Sequence, residues 1–142
     1  MNSNGQVIAR QLVIASDLSA ARHLQGELER SLHSLHFAEA DIFAIKMAVE
    51  EALVNAIKHG NQMNPAKSVS IAYQIRPERF DVRITDEGPG FDPCDVPDPT
   101  APENLERPCG RGLLLIRHYM SEVTFSDRGN TIAMSKVRNG NK

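Results

Sequence analysis

The chain has 142 residues, 41% of them hydrophobic and 24% charged, the proportions of one globular domain with a sizeable core. A net charge of -2 and a pI of about 6.2 exclude the basic footprint of a protein that contacts nucleic acid or an anionic membrane surface directly. No apolar run approaches a membrane span, no signal-peptide pattern opens the chain, and Cys94 and Cys109 match no zinc spacing, so the expectation is a cytosolic protein with reduced thiols.

Residues 1–5 are polar and expected to fray. Apolar and β-branched residues over 7–15 suit a first strand, and Ser16 or Asp17 offers an N-cap. Leu18, Ala21, Leu24, Leu28, Leu32 and Leu35 then recur at helical spacing over residues 18–35. Residues 38–59 form a second helix, on which Ile42, Ile45, Val49, Leu53, Ala56 and Ile57 share one arc at about 100° per residue. Glu51 and Asn55 stand on its far side, and their i, i+4 spacing stacks a carboxylate and an amide on one stripe. Gly60 is placed to end this helix in a left-handed conformation.

A loop over 61–67 follows. Val69, Ile71, Tyr73 and Ile75 alternate with polar or small residues, as in a half-buried strand. Arg76-Pro77-Glu78-Arg79 turns the chain, and Phe80, Val82 and Ile84 alternate back along a second strand that ends at Asp86. Residues 87–111 hold Pro89, Pro93, Pro97, Pro99, Pro102 and Pro108 with several glycines. A loop of that length inside a compact domain is usually functional, and a lid is the expectation. Residues 112–120 return to helix, and 123–126 with 131–137 read as a final hairpin around Asp127-Arg128-Gly129-Asn130. Strands grouped as hairpins predict an α+β two-layer sandwich: one mixed, mostly antiparallel sheet with helices on one face. The whole chain reads as a single domain with an ordered core over about 6–137.

Three stretches can carry chemistry. The first is the Glu51–Asn55 stripe. In the second, Asp86-Glu87-Gly88-Pro89-Gly90-Phe91-Asp92, a strand delivers Asp86 to a loop where Gly88 and Gly90 let the backbone approach a ligand. An ionised carboxylate only accepts hydrogen bonds, so Asp86 suits an exocyclic amino group such as that of adenine. In the third, Gly110-Arg111-Gly112 leads into an apolar helix whose unpaired N–H groups favour phosphate, with Arg107 and Arg111 as cationic donors beside it. Neither the P-loop pattern nor the motif set of eukaryotic-type protein kinases is present. Each stretch has a plain alternative: a solvated helix face, an acidic turn, an ordinary helix start.

In this order, Glu51-x-x-x-Asn55, Asp86-x-Gly88-x-Gly90 and Gly110-x-Gly112 resemble the N, G1 and G2 boxes of the GHKL ATPases (gyrase, Hsp90, histidine kinase, MutL), which share the Bergerat fold. The minimal chain, the run Glu-Ala-Leu-Val-Asn-Ala-Ile-Lys-His-Gly-Asn and the approach to Gly-Arg-Gly-Leu-Leu-Leu-Ile-Arg are similar to the bacterial anti-sigma factor serine/threonine kinases. The resemblance implies ATP and Mg²⁺ as ligands. Asn55 would hold the metal through its amide oxygen, and Glu51 would be the general base. Asp86 would accept from adenine with Thr131 in support, and Gly88 and Gly90 would line the base pocket. Arg107 and the amides around Gly110 and Gly112 would steady the phosphates, with Arg111 as substitute because Pro108-Cys109 interrupts the usual lid pattern. The implied partners are a sigma factor and an anti-sigma factor antagonist whose serine or threonine is phosphorylated, with Arg22 on the partner surface and a homodimer as the assembly. Two other readings stay open. One is a binding module in which nucleotide only switches conformation. The other is a histidine-kinase-type catalytic domain, although His33 and His36 lie in no recognisable acceptor context.

Overall fold

The computed structural model describes residues 7–88, 108–126 and 130–138. In chain order the elements are β1 (Ile8–Ala15), α1 (Leu18–Ser34), α2 (Glu39–Val54) with a π-helical turn (Asn55–Gly60), β2 (Ser68–Ile75), β3 (Arg79–Thr85), α3 (Pro108–Tyr119), β4 (Glu122–Phe125) and β5 (Thr131–Val137). The strands form one sheet in the order β1-β2-β3-β5-β4, and every pairing among them is antiparallel. Both expected hairpins are present.

One row of the register shows why the sheet is a layer. Leu12 lies opposite Ile71, Ile71 opposite Ile84, Ile84 opposite Ile132, and Ile132 opposite Phe125. The period of two puts these side chains on one face, where Ile71, Ile84 and Ile132 are buried. The next residues along, Gln11, Ala72, Arg83, Ala133 and Thr124, form the opposite face, which is polar or small and carries no helix among the described residues.

The helices cover the apolar face. Asp17 caps α1, its carboxylate accepting from Ser19 N at 2.8 Å. Of the apolar positions on α1, Ala21, Leu24, Leu28 and Leu32 are buried, as is Leu35 just beyond its end, while Leu18 packs at the margin. All six arc residues of the second helix are buried, and Ala44, Ala48 and Ala52 widen the covered face. Small alanines let α2 sit close to neighbours on more than one side, and α1 and α3 both pack on it. Gln25 of α1 is buried and donates to Lys46 O of α2 at 2.9 Å.

Beyond β5, the Arg138 guanidinium donates to Pro77 O (2.8 Å), Leu35 O (3.1 Å) and His36 O, and its centre lies 4.5 Å over the Phe37 ring. This pins the end of the chain to the α1–α2 connection, where His36 has a φ of 63°.

Two expectations change. Gly60 does not provide a left-handed helix end. The helix runs on as a π turn closed by Asn61 N donating to Ala56 O at 2.8 Å, and the left-handed residues are Gln62 (φ 55°) and Met63 (φ 58°). The last helix also begins earlier, at Pro108 and not Gly112. Proline is compatible with the first helical position because the N–H it lacks would have no intrahelical partner there.

Candidate functional site

The site is built around the end of α2. The stripe opposite the buried arc carries Glu51 and, one turn on, Asn55 at the first position of the π turn; both side chains are half-buried. Burial pushes the Glu51 carboxyl above its ordinary range. His59 pulls it part of the way back, and the neighbouring Glu50 adds to the rise. A half-buried carboxylate raised in this way is suited to taking up a proton. A π turn at a helix end often accompanies a functional site.

Asp86 immediately follows β3 and is buried. Its backbone N–H donates to Asn130 O at 2.9 Å, and its Oδ1 accepts the Gly88 N–H at 2.7 Å in a two-residue side-chain turn. Burial raises its pKa above the ordinary range, and the Gly88 hydrogen bond and Lys67 oppose the rise.

Gly60 and Gly88 make this packing possible. A Cβ on Gly60 would fall 2.7 Å from Asp86 Oδ1 and nearer still to Oδ2 and Cγ. A Cβ on Gly88 would fall 2.6 Å from the Gly60 carbonyl carbon and 3.0 Å from Asp86 Oδ1. The end of the α2 helix, the carboxylate and the glycine loop therefore touch through bare backbone.

Behind them lies Asn61, fully buried. Its Nδ2 donates to Ser16 Oγ (2.8 Å) and Ser68 O (2.9 Å), and its Oδ1 accepts the Glu87 N–H (2.7 Å). Ser16 Oγ in turn donates to Lys67 O at 2.8 Å. Glu87 Oε2 accepts from both Ser68 N (2.7 Å) and Ser68 Oγ (2.6 Å), which hold its carboxyl below the usual range. One amide thus ties together the end of β1, the start of β2 and the loop after β3. The sequence reading passed over Asn61, because an Asn after Gly is the ordinary signature of a turn.

The remaining predicted residues fall as follows. Thr131 opens β5 opposite Thr85, and their hydroxyls pair at 3.0 Å, so Thr131 meets the residue before Asp86. Gly110, Arg111 and Gly112 all lie within α3. With Pro108 first, the Gly110 backbone N–H is among the four that lack intrahelical acceptors, whereas the Arg111 N–H is the first to find one and the Gly112 N–H follows it. Gly90 and Arg107, most of the lid, Cys94 and the side chains of Cys109 and Arg111 lie outside the described residues. Arg22 is exposed on α1. His33 stands 3.6 Å from Glu29 and 3.5 Å from Glu39 in the α1–α2 surface network.

No described helix is long and apolar enough to cross a membrane. The sequence profile of the histidine kinase-like ATPase domain matches residues 14–136. The serine-protein kinase RsbW of Oceanobacillus iheyensis is 32% identical over 107 residues, covering 70% of this chain and 68% of that one. The serine-protein kinase RsbW of Staphylococcus aureus (strain MRSA252) is 36% identical over 104 residues, covering 68% of this chain and 65% of that one. Among solved structures, the RsbU and RsbW domains of Rv1364c from Mycobacterium tuberculosis superpose with a TM-score of 0.63 at 16% identity. That likeness covers 92% of this chain and 32% of the other, and it concerns the fold.

Proposed function

As the chain belongs to the histidine kinase-like (GHKL) ATPase family and, within it, groups with the RsbW serine-protein kinases, we propose that it is an ATP-dependent protein serine/threonine kinase and anti-sigma factor. In this reading it binds a sigma factor and phosphorylates an anti-sigma factor antagonist, in the cytoplasm and as a homodimer. The observation that carries the reading is the convergence at one helix end. Glu51 and Asn55 share a stripe of α2, and five residues beyond Asn55 the same helix abuts the buried Asp86 carboxylate.

The residues fit an adenine nucleotide. Asp86 is a buried, acceptor-only group when ionised, and Gly60 and Gly88 leave the backbone beside it bare. Asp86 would take the exocyclic amino group of adenine, with Thr131 beside it and Gly90 continuing the loop. The α3 amides around Gly110 and Gly112, with the unpaired Gly110 N–H foremost, would steady phosphate oxygens, helped by the Arg107 side chain or, in its place, that of Arg111.

Asn55 offers Mg²⁺ a hard amide oxygen of the kind that ion accepts together with phosphate ligands. The ion, when bound, would offset the charge that develops on the phosphates. Glu51 would accept the proton of the partner's serine hydroxyl as that oxygen bonds to the γ-phosphorus; the bond to the β–γ bridging oxygen breaks and ADP leaves.

Calorimetry and phosphotransfer test this in turn. ATP binding that strengthens with Mg²⁺ in the wild type, and loses that gain in Asn55→Ala, is expected. Glu51→Gln should bind ATP normally yet transfer phosphate about 10²–10⁴-fold more slowly to an antagonist protein. Undiminished transfer in Glu51→Gln removes its role as base. A Glu51→Gln protein that regulates its partner normally favours a nucleotide-gated binding module.

A further inference from the structure

The geometry points to Gly60 and Asn61 as positioning residues for base recognition: together they seat the Asp86 loop on the end of the helix that carries Glu51 and Asn55. This rests on the assignment of Asp86 to adenine and goes beyond it, because neither residue has a functional side-chain atom directed at the ligand.

Three contacts define the seat. The Asp86 carboxylate occupies the space a Gly60 side chain would need. The Gly60 carbonyl abuts the Cα of Gly88, so that residue also tolerates no Cβ. Asn61 Oδ1 holds the intervening Glu87 N–H at 2.7 Å, while its amide nitrogen is fixed by Ser16 and Ser68. The carboxylate and the glycine of the loop are therefore referenced to Gly60 and its amide to Asn61, two consecutive residues of one helix end. The Glu87 side chain, bonded twice to Ser68, anchors the same loop from its outer side. A shift of a few tenths of an ångström at Gly60 moves Asp86 directly, since backbone and carboxylate meet with no flexible side chain between them. The hydrogen bond to the base is the interaction that such a shift degrades.

The test compares ATP with ITP, in which an oxo group replaces the amino group that Asp86 would accept from. Affinities are measured by calorimetry for wild type, Asp86→Asn, Gly60→Ala and Asn61→Ala, with circular dichroism confirming that each variant is folded. The expected result is that Gly60→Ala and Asn61→Ala each cut ATP affinity about tenfold or more, the loss of one hydrogen bond to a charged acceptor, and leave ITP within about twofold. A purely structural role would weaken both nucleotides alike and keep their ratio, which overturns the proposal. If Asp86→Asn loses the ATP preference while folded Gly60→Ala and Asn61→Ala keep it, the seat is refuted and the adenine assignment stands. If Asp86→Asn itself keeps the preference, the adenine assignment fails. Should either seat variant not fold, amide exchange in the wild type decides. The Glu87 and Gly88 amides are expected to be protected and to slow further together with ATP. Exchange of the Glu87 amide at the rate of an open loop overturns the seat.

Discussion

Replacing Arg138 with alanine isolates the clamp at the end of the chain. The substitution removes three donated hydrogen bonds, to Pro77 O, Leu35 O and His36 O, and the contact over Phe37. The backbone bond from Arg138 N to Glu78 O, 2.9 Å, survives it. Each hydrogen bond to these partly exposed carbonyls is worth about 1 kcal/mol net. The cation–π contact adds about 0.5–1 kcal/mol. Against this stands up to about 2 kcal/mol of side-chain entropy that truncation gives back. The balance is a destabilisation of about 2 kcal/mol. For 142 residues, at an unfolding entropy of about 2.1 cal/mol/K per residue, that is a fall in Tm of about 7 °C. Urea unfolding followed by circular dichroism is the assay, with Arg138→Lys beside it. Lysine keeps the charge but cannot reach three carbonyls from a planar fork, so it should recover less than half of the loss. An Arg138→Ala protein within about 0.5 kcal/mol of wild type, or an Arg138→Lys protein fully restored, would refute this reasoning.

Ile57→Ala empties a fully buried position inside the π turn and should cost about 2–5 kcal/mol in urea unfolding with an unchanged m-value. Asp17→Ala removes the cap bond to Ser19 N and should cost about 1 kcal/mol, read as a shift in the denaturation midpoint. Lys46→Ala breaks a part-exposed pair with Glu29 and should leave the denaturation midpoint close to that of wild type. Asp86 makes two opposite pH predictions. Its folded pKa lies above the ordinary value, so the folded state binds the extra proton, and its contribution to stability falls as pH rises from the ordinary carboxylate range through the raised value. If Asp86 takes the adenine amino group as proposed, ATP needs the ionised acceptor, and affinity should fall as pH drops through that same raised value. Chemical denaturation and calorimetry over a pH series, with Asp86→Asn as the control that flattens both trends, measure the two slopes.

What could be read from the chain and what could not divides by sequence distance. The arc of Ile42, Ile45, Val49, Leu53, Ala56 and Ile57 is a local period, and all six residues are buried. The alternation of Val69, Ile71, Tyr73 and Ile75 against Phe80, Val82 and Ile84 likewise gave the hairpin, because the pleat period is local. The π turn has no such signature, since the same residues satisfy a continuing α-helix. Gly60 looked like a helix terminator, yet its reason for being glycine is Asp86, distant in sequence and adjacent in space. Asn61 looked like a turn residue, yet its partners are Ser16, Ser68 and Glu87. Pro108 read as the tail of a loop, although proline is as well suited to opening a helix as to ending one. The placement of Glu51 and Asn55 on one stripe was legible, whereas the surface that packs the Asp86 loop against their helix was not.

The Asp86 carboxylate also has an electrostatic neighbour. It meets the carboxyl end of a helix, against Gly60, where the summed peptide dipoles present their negative pole. A carboxylate there adds negative charge to negative charge. The Pro108 end of α3, a helix that packs on α2, presents the opposite pole. In the proposed nucleotide complex the proton-donating base would lie toward the first pole and the anionic phosphates toward the second. Two helix ends of opposite polarity would then favour one direction for a bound nucleotide, before any side chain has chosen its base.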